Sequence, residues 1–211
     1  MQGRENEFLA STMRALKQLV LASNNPGKIR EISAILASLA IEVVPQAQFN
    51  IPEADEPHGT FIENALAKAR HAAAASGLPA LADDSGICVD ALEGAPGVYS
   101  ARFAGDPKSD ERNNQRLLEL LAHSDNRTAR YYCVIVVLRH VDDPQPLIAE
   151  GEWHGEVLRV PRGTGGFGYD PLFLDPTLGL TGAELSMEKK NRISHRGKAL
   201  TLLAERLGSF L

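Results

Sequence analysis

What most constrains the fold is the alternation at the front of the chain. "LKQLVLA" (16–22) is an apolar run of strand length. "GKIREISAILASLA" (27–40) follows it at helical period, with Ile29, Ile32, Ile35, Leu36 and Leu39 on one face. "IEVVPQ" (41–46) returns as a short strand closed by proline. An acidic Pro/Gly loop, 50–59, leads to the alanine-rich helix "TFIENALAKARHAAAASG" (60–77), which Thr60 caps with Glu63 and Gly77 ends. "PALADDSGICVDAL" (79–92) reads as strand, sharp acidic turn, strand, and "GAPGVYSARFAG" (94–105) as a glycine-rich loop. Ser109 or Asp110 caps a helix over 109–123.

Beyond it, "ARYYCVIVVLRH" (129–140) is the most strand-like segment, with "PLIAEGEWHGEVLRVP" as its antiparallel edge. A glycine loop, 162–174, runs into a short strand. Residues 183–211 hold a short helix, a basic turn and a final amphipathic helix. Helices and strands alternate early and strands gather mid-chain, so the expectation is an α/β fold built on a mixed sheet.

Composition narrows the functions. The 211 residues suffice for one large domain or two joined lobes, and the net charge of −5 supplies no basic face for a nucleic-acid duplex. A small anionic substrate is compatible, because local lysines and a divalent cation reverse the field inside one cleft. Cys88 and Cys133 sit among apolar residues and form no C-x-x-C pair, so they read as core thiols. No apolar run reaches membrane-span length, and residues 1–17 lack the apolar centre of a secretory signal. The expectations are a cytoplasmic protein, a flexible extension over 1–17 with Met13 as an alternative start, and one two-lobed domain over 18–211.

Five clusters carry chemistry. In "LASNNPGKIREI" (21–32) strand, polar loop, lysine and helix follow in the order that holds phosphate. It is not a Walker A loop, since Ala22 stands for the first glycine and Ile29 for Ser/Thr. Ser23 and Asn25 can bond phosphate or sugar oxygens, and Lys28 adds charge at the helix N-terminus. "LADDSG" (81–86) sets Asp83 beside Asp84, an expensive pairing without a cation, and magnesium suits it; in an extended chain the two diverge, so one faces the cleft. Ordinary turn chemistry explains the same four residues. Glu53, Asp55 and Glu56 offer a further carboxylate, ahead of a helix carrying Lys68. "GTGGFGYD" (163–170) permits close backbone approach and presents Phe167 and Tyr169 for stacking. "EKKNRISHRG" (188–197) puts His195 and Arg196 at a turn suited to donating hydrogen bonds.

The blocks "SNNPGK", "TFIENALAKAR", "ADDSG", "GAPGVYSARF", "GTGGFGYDPLF" and "SHRGKAL" stand in the order and spacing of the inosine triphosphate pyrophosphatase family, which the chain resembles over about residues 18–207. The resemblance implies a homodimer with a long mixed sheet flanked by helices and two lobes around a cleft. It implies magnesium-dependent hydrolysis of non-standard purine nucleoside triphosphates (dITP, ITP, XTP) to monophosphate and pyrophosphate, with no nucleic-acid or membrane partner. Carried over by residue, Ser23, Asn24, Asn25, Pro26, Gly27 and Lys28 hold the triphosphate. Asp84 is base and metal ligand, with Ser85 beside it on the substrate. Glu56 is the second metal ligand, with Glu53 as fallback, and Lys68 contacts phosphate or the metal site. Phe167, Gly168, Tyr169, Asp170, Lys190, His195 and Arg196 form the base pocket. A phosphohydrolase for modified pyrimidine nucleotides and a nucleotide-binding regulator without turnover are the rival readings.

Overall fold

The computed structural model describes residues 17–37, 39 and 41–211, so the expected extension over 1–17 lies, Lys17 apart, outside the described residues. One seven-stranded sheet runs through the molecule in the order β2-β1-β3-β4-β5-β6-β7. Its strands are β1 (Lys17–Leu21), β2 (Ile41–Pro45), β3 (Ala80–Val89), β4 (Thr128–Leu138), β5 (Leu147–Val157), β6 (Phe173–Asp175) and β7 (Leu180–Thr181). β1 pairs in parallel with β2 and β3, and every later pairing is antiparallel. The sheet is mixed, as the sequence predicts.

Among the described residues five α-helices flank it: α1 (Pro26–Leu36), α2 (Phe61–Ser76), α3 (Asp110–Leu120), α4 (Met187–Ile193) and α5 (His195–Phe210). Alternation along the strands sorts them onto faces. Leu19, Leu21 and Leu81 pack on one face with Ile32 and Leu36 of α1 and Leu200, Leu203 and Leu207 of α5. Val20, Ala80 and Ala82 turn to the other face, against Ala65, Ala69, Ala72 and Ala73 of α2. These small side chains let α2 lie close to the sheet, which brings its polar residues within reach of β3. A third core, with Ile87, Leu117, Tyr131, Trp153 and Phe173, gathers α3 and the far ends of β3–β5.

Three expectations change. The "DDSG" segment is no turn, because β3 runs unbroken through it, with Asp83 opposite Ile135 and Asp84 opposite Val134 of β4. A ladder to a long neighbour outweighs local turn preference. β5 pairs antiparallel with β4 as expected, but its edge is not open throughout, since β6 covers its end at Glu156–Val157. Residues 94–105 are not all loop, since Gly97–Arg102 winds into a 3₁₀ turn that lies on β3. The close approach is at Gly86, where a Cβ would collide with Gly97 O and Ser100 Oγ. Similarly, α5 lies on β5 at Gly151, where a Cβ would meet the backbone of His195 and Ala199. These contacts set what frames the cleft.

Candidate active site

A cavity of about 390 Å³ opens between the α1 N-terminus, β3, α2, the 3₁₀ turn and the 163–170 loop. It suits a small ligand rather than a duplex. Its floor is the Asp83–Asp84 pair. Both are buried and both border the cavity, correcting the expectation that only one would. Being adjacent on a strand, they turn to opposite faces and meet different cations.

Asp84 faces α2. Its Oδ1 accepts from Lys68 Nζ at 2.9 Å and its Oδ2 from Asn64 Nδ2 at 3.4 Å, the donors being one helical turn apart. Lys68 Nζ also donates to Glu56 Oε1 at 2.8 Å, so one ammonium stands between two carboxylates. Arg102 reaches from the 3₁₀ turn to Glu56 Oε2 at 2.7 Å. Glu53, the fallback, lies outside this arrangement in an exposed pair with Lys108 at 3.7 Å. Burial raises the Asp84 carboxyl above its ordinary value despite Lys68 and Lys28. Burial acts on Glu56 in the same sense, but the Lys68 charge and the bonds from Lys68 and Arg102 outweigh it and hold Glu56 at about 2. The two acids are thus poised differently, one toward taking a proton and one toward staying charged.

Asp83 faces α1 and α5. Its Oδ2 meets Lys28 Nζ at 3.0 Å and Arg196 Nε at 3.2 Å, while Oδ1 is buried without a partner among the described residues. Burial opposes its charge, but Lys28 and Arg196 prevail and keep its carboxyl well below the ordinary range. Arg196 also binds Glu31 and donates to Ser85 Oγ at 2.8 Å. Lys190 Nζ bridges Glu31 at 3.1 Å and Asp170 at 2.7 Å.

The loop residues depart from several expectations. Asn25 Oδ1 is occupied as the cap of α1, accepting from Gly27 N at 2.8 Å and Lys28 N at 3.2 Å. Ser23 Oγ accepts from Asn25 N. Ser23, Asn24, Asn25 and Lys28 border the cavity; Pro26 and Gly27 do not, and a Cβ at Gly27 would come within 2.7 Å of the Phe167 ring. Phe167 is half-buried and faces Lys190 Nζ at 4.7 Å. Tyr169 is no free stacking face: it belongs to the third core and its hydroxyl donates to Ser100 O at 2.9 Å. Asp170 accepts from Phe167 N and Lys190 and so braces the loop while bordering the cavity.

"SHRG" is a helix start, not a turn. Ser194 ends α4 and caps α5, leaving His195 and Arg196 in the first turn of α5, both buried. Four hydrogen bonds commit Arg196 to carboxylates and Ser85, out of five N–H donors. His195 stacks on Tyr131 at 4.6 Å and 8°, its Nδ1 without a partner among the described residues. Burial, with Arg196 and Lys190 nearby, holds its imidazole well below the ordinary range, hence neutral. The sequence reading passed over Glu31, Asn64, Arg102 and Tyr131. Glu31 and Asn64 sit on helices beside singled-out residues, but only their burial marks them.

The model of the Ham1 family matches residues 19–206. The chain is 64% identical over 192 residues to the dITP/XTP pyrophosphatase of Nitrosomonas europaea, covering 91% of this chain and 95% of that one. With the dITP/XTP pyrophosphatase of Ralstonia nicotianae the identity is 63%, over 92% and 98% of the two chains. Among solved structures, a HAM1 protein from Coxiella burnetii superposes with a TM-score of 0.86 at 48% identity, over 92% of this chain and 99% of that one.

Proposed function

The chain belongs to the Ham1 family, and from that premise we propose that it hydrolyses the non-standard purine nucleoside triphosphates dITP, ITP and XTP to the monophosphate and pyrophosphate. It is a nucleoside triphosphate pyrophosphatase, and its role is to clear such nucleotides before they enter DNA or RNA. The observation that carries the reading is the convergence of Asp84 and Glu56 on Lys68 Nζ, in a cavity whose opposite wall holds Phe167.

The carboxylate pair fits a magnesium ion. Mg²⁺ is bound through one or two carboxylates, with substrate phosphates and water completing its shell. Asp84 and Glu56 are such a pair, already spaced to share one cation. Among the described residues no group of three His, Cys, Asp or Glu could form an all-protein cage. Bound there, the metal supplies neutralisation of phosphate charge and polarisation of phosphoryl oxygens.

The chain's own residues supply the remainder. Lys28, at the N-terminus of α1, and Lys68 border the cavity and meet the triphosphate. Asp84 orients water and takes its proton, a task favoured by a raised carboxyl pKa. Water oxygen bonds to the α-phosphorus, the bond to the bridging α–β oxygen breaks, and pyrophosphate leaves. Ser85, beside Asp84, touches the substrate. At the other end Phe167 faces the purine. The first-turn N–H groups of α5 and the ring of His195 donate to the 6-oxo group of hypoxanthine or xanthine. Adenine offers a 6-amino donor there, leaving donor against donor, and an unpaired buried polar group discriminates strongly.

Homodimerisation and a cytoplasmic site of action belong to the same reading. Exposed Tyr99, Val160, Met187 and Leu202 leave apolar area to cover. No helix among the described residues is long and apolar enough to cross a membrane. The test is product identification with ITP and Mg²⁺: inosine monophosphate with pyrophosphate supports the reading, and inosine diphosphate with orthophosphate refutes it. Equal turnover of ITP, XTP, dUTP and GTP would refute the purine selectivity.

A further inference from the structure

The loop carrying Phe167 is fastened from outside. Gly168 has φ of +63°, a left-handed conformation open to glycine at no steric cost. Its N–H donates to Asp110 Oδ2 at 2.6 Å, and its carbonyl accepts from Asn114 Nδ2 at 2.9 Å. Both partners lie on α3, four residues apart on one face. A single helix therefore captures both polar groups of one loop residue, 58 and 54 positions away in the chain. The Gly168 carbonyl orients the Asn114 amide, whose Oδ1 is buried with no partner among the described residues.

This grip acts on the aromatic wall. Phe167 precedes Gly168, packs over Gly27 and faces Lys190. Its own N–H is held within the loop by Asp170. Asp110 borders the cavity, yet neither Asp110 nor Asn114 hydrogen-bonds Asp84, Glu56 or Lys68. The device belongs to the base end alone.

Resting on the reading of this cavity as a purine nucleoside triphosphate site, we propose that Asp110 and Asn114 are positioning residues for the base. By holding Gly168 from both sides they fix the Phe167 ring against the purine. They set affinity for the base and leave chemistry at the α-phosphorus unchanged.

The test is steady-state hydrolysis of ITP by the full chain and four variants. Asp110→Ala and Asn114→Ala each raise KM for ITP about tenfold, or about 1.4 kcal/mol, with kcat within about twofold of the parent. Asp110→Asn keeps an acceptor for the Gly168 N–H and stays within about threefold in KM. Glu111→Gln removes the other first-turn acid of α3, which does not touch the loop, and leaves KM unchanged. A merely structural role lowers the folded fraction, so kcat falls while KM holds. An Ala variant whose KM stays within about twofold of an active parent therefore overturns the clamp alone, whatever kcat does. A parent that leaves ITP intact overturns the reading of the cavity, and the clamp's role with it.

Discussion

Replacing Asp84 by Asn should remove most activity and leave stability nearly unchanged. The side chain is nearly isosteric and stays buried beneath Lys68 and Asn64. Loss of a general base costs about 10²–10⁴-fold in rate, and loss of a carboxylate from the cation site adds to that. Stability follows a different sign. Burial raises the folded-state pKa of Asp84 above its ordinary value, so at neutral pH its ionised form opposes folding. Asparagine removes that charge. Lys68, held charged by two carboxylates, retains Glu56 at 2.8 Å, so no lone buried ammonium is left. The two effects offset, and thermal midpoint should move by no more than about 3 °C, the equivalent of about 1 kcal/mol in a chain this size. Turnover of ITP and a thermal melt on the same preparation test the argument. Parental turnover refutes the base assignment. A fall of about 10 °C would mean that Asp84 is structural and that its ionised form is stabilised in the fold.

The two candidate glutamates should part in the same assay. Glu56→Gln lowers turnover of ITP by about 10-fold or more, the scale of a lost metal partner, while Glu53→Gln, whose partner Lys108 is exposed, stays near parental. Glu31→Gln weakens the buried pairing with Arg196 and Lys190, which retain Asp83 and Asp170, and destabilises by about 1–3 kcal/mol, read from urea denaturation. Glu31 and Asp83 both have folded-state pKa values lowered from the ordinary carboxylate values, so their stabilisation is complete above the ordinary values and is lost as pH falls below them. The urea midpoint should therefore be flat near neutrality and drop below about pH 4.5, with a shallower drop in Glu31→Gln. Gly86→Ala drives a methyl into Gly97 O and Ser100 Oγ, and the overpacking costs about 1–3 kcal/mol and loosens the turn that carries Arg102.

How legible the protein was depended on how local each cause is. Thr60 accepts from Glu63 N, Ser109 from Arg112 N, and Gly77 closes α2 in the left-handed conformation; each is decided within four residues, and each could be read in the chain. "DDSG" misled because its turn chemistry is local while its strand is imposed by β4, about fifty residues on. The cations that make Asp83 tolerable in the core arrive from Lys28 and from Arg196, the latter 113 positions away. Glu31 carries no local mark, because its partner Lys190 is 159 positions distant. "SHRG" was misjudged similarly, since Ser194 ends one helix and starts the next, and only packing on Gly151 shows the second as a buried start. The types of residue at the site were visible. Their pairings were not, and the pairings decide which donors remain for substrate.

Hydrolysis of ITP in ¹⁸O-water distinguishes attack at the α-phosphorus from attack at the β-phosphorus. Attack at the α-phosphorus places ¹⁸O in inosine monophosphate and leaves pyrophosphate unlabelled. Label in the pyrophosphate would mean attack at the β-phosphorus, and would contradict the role given to Asp84.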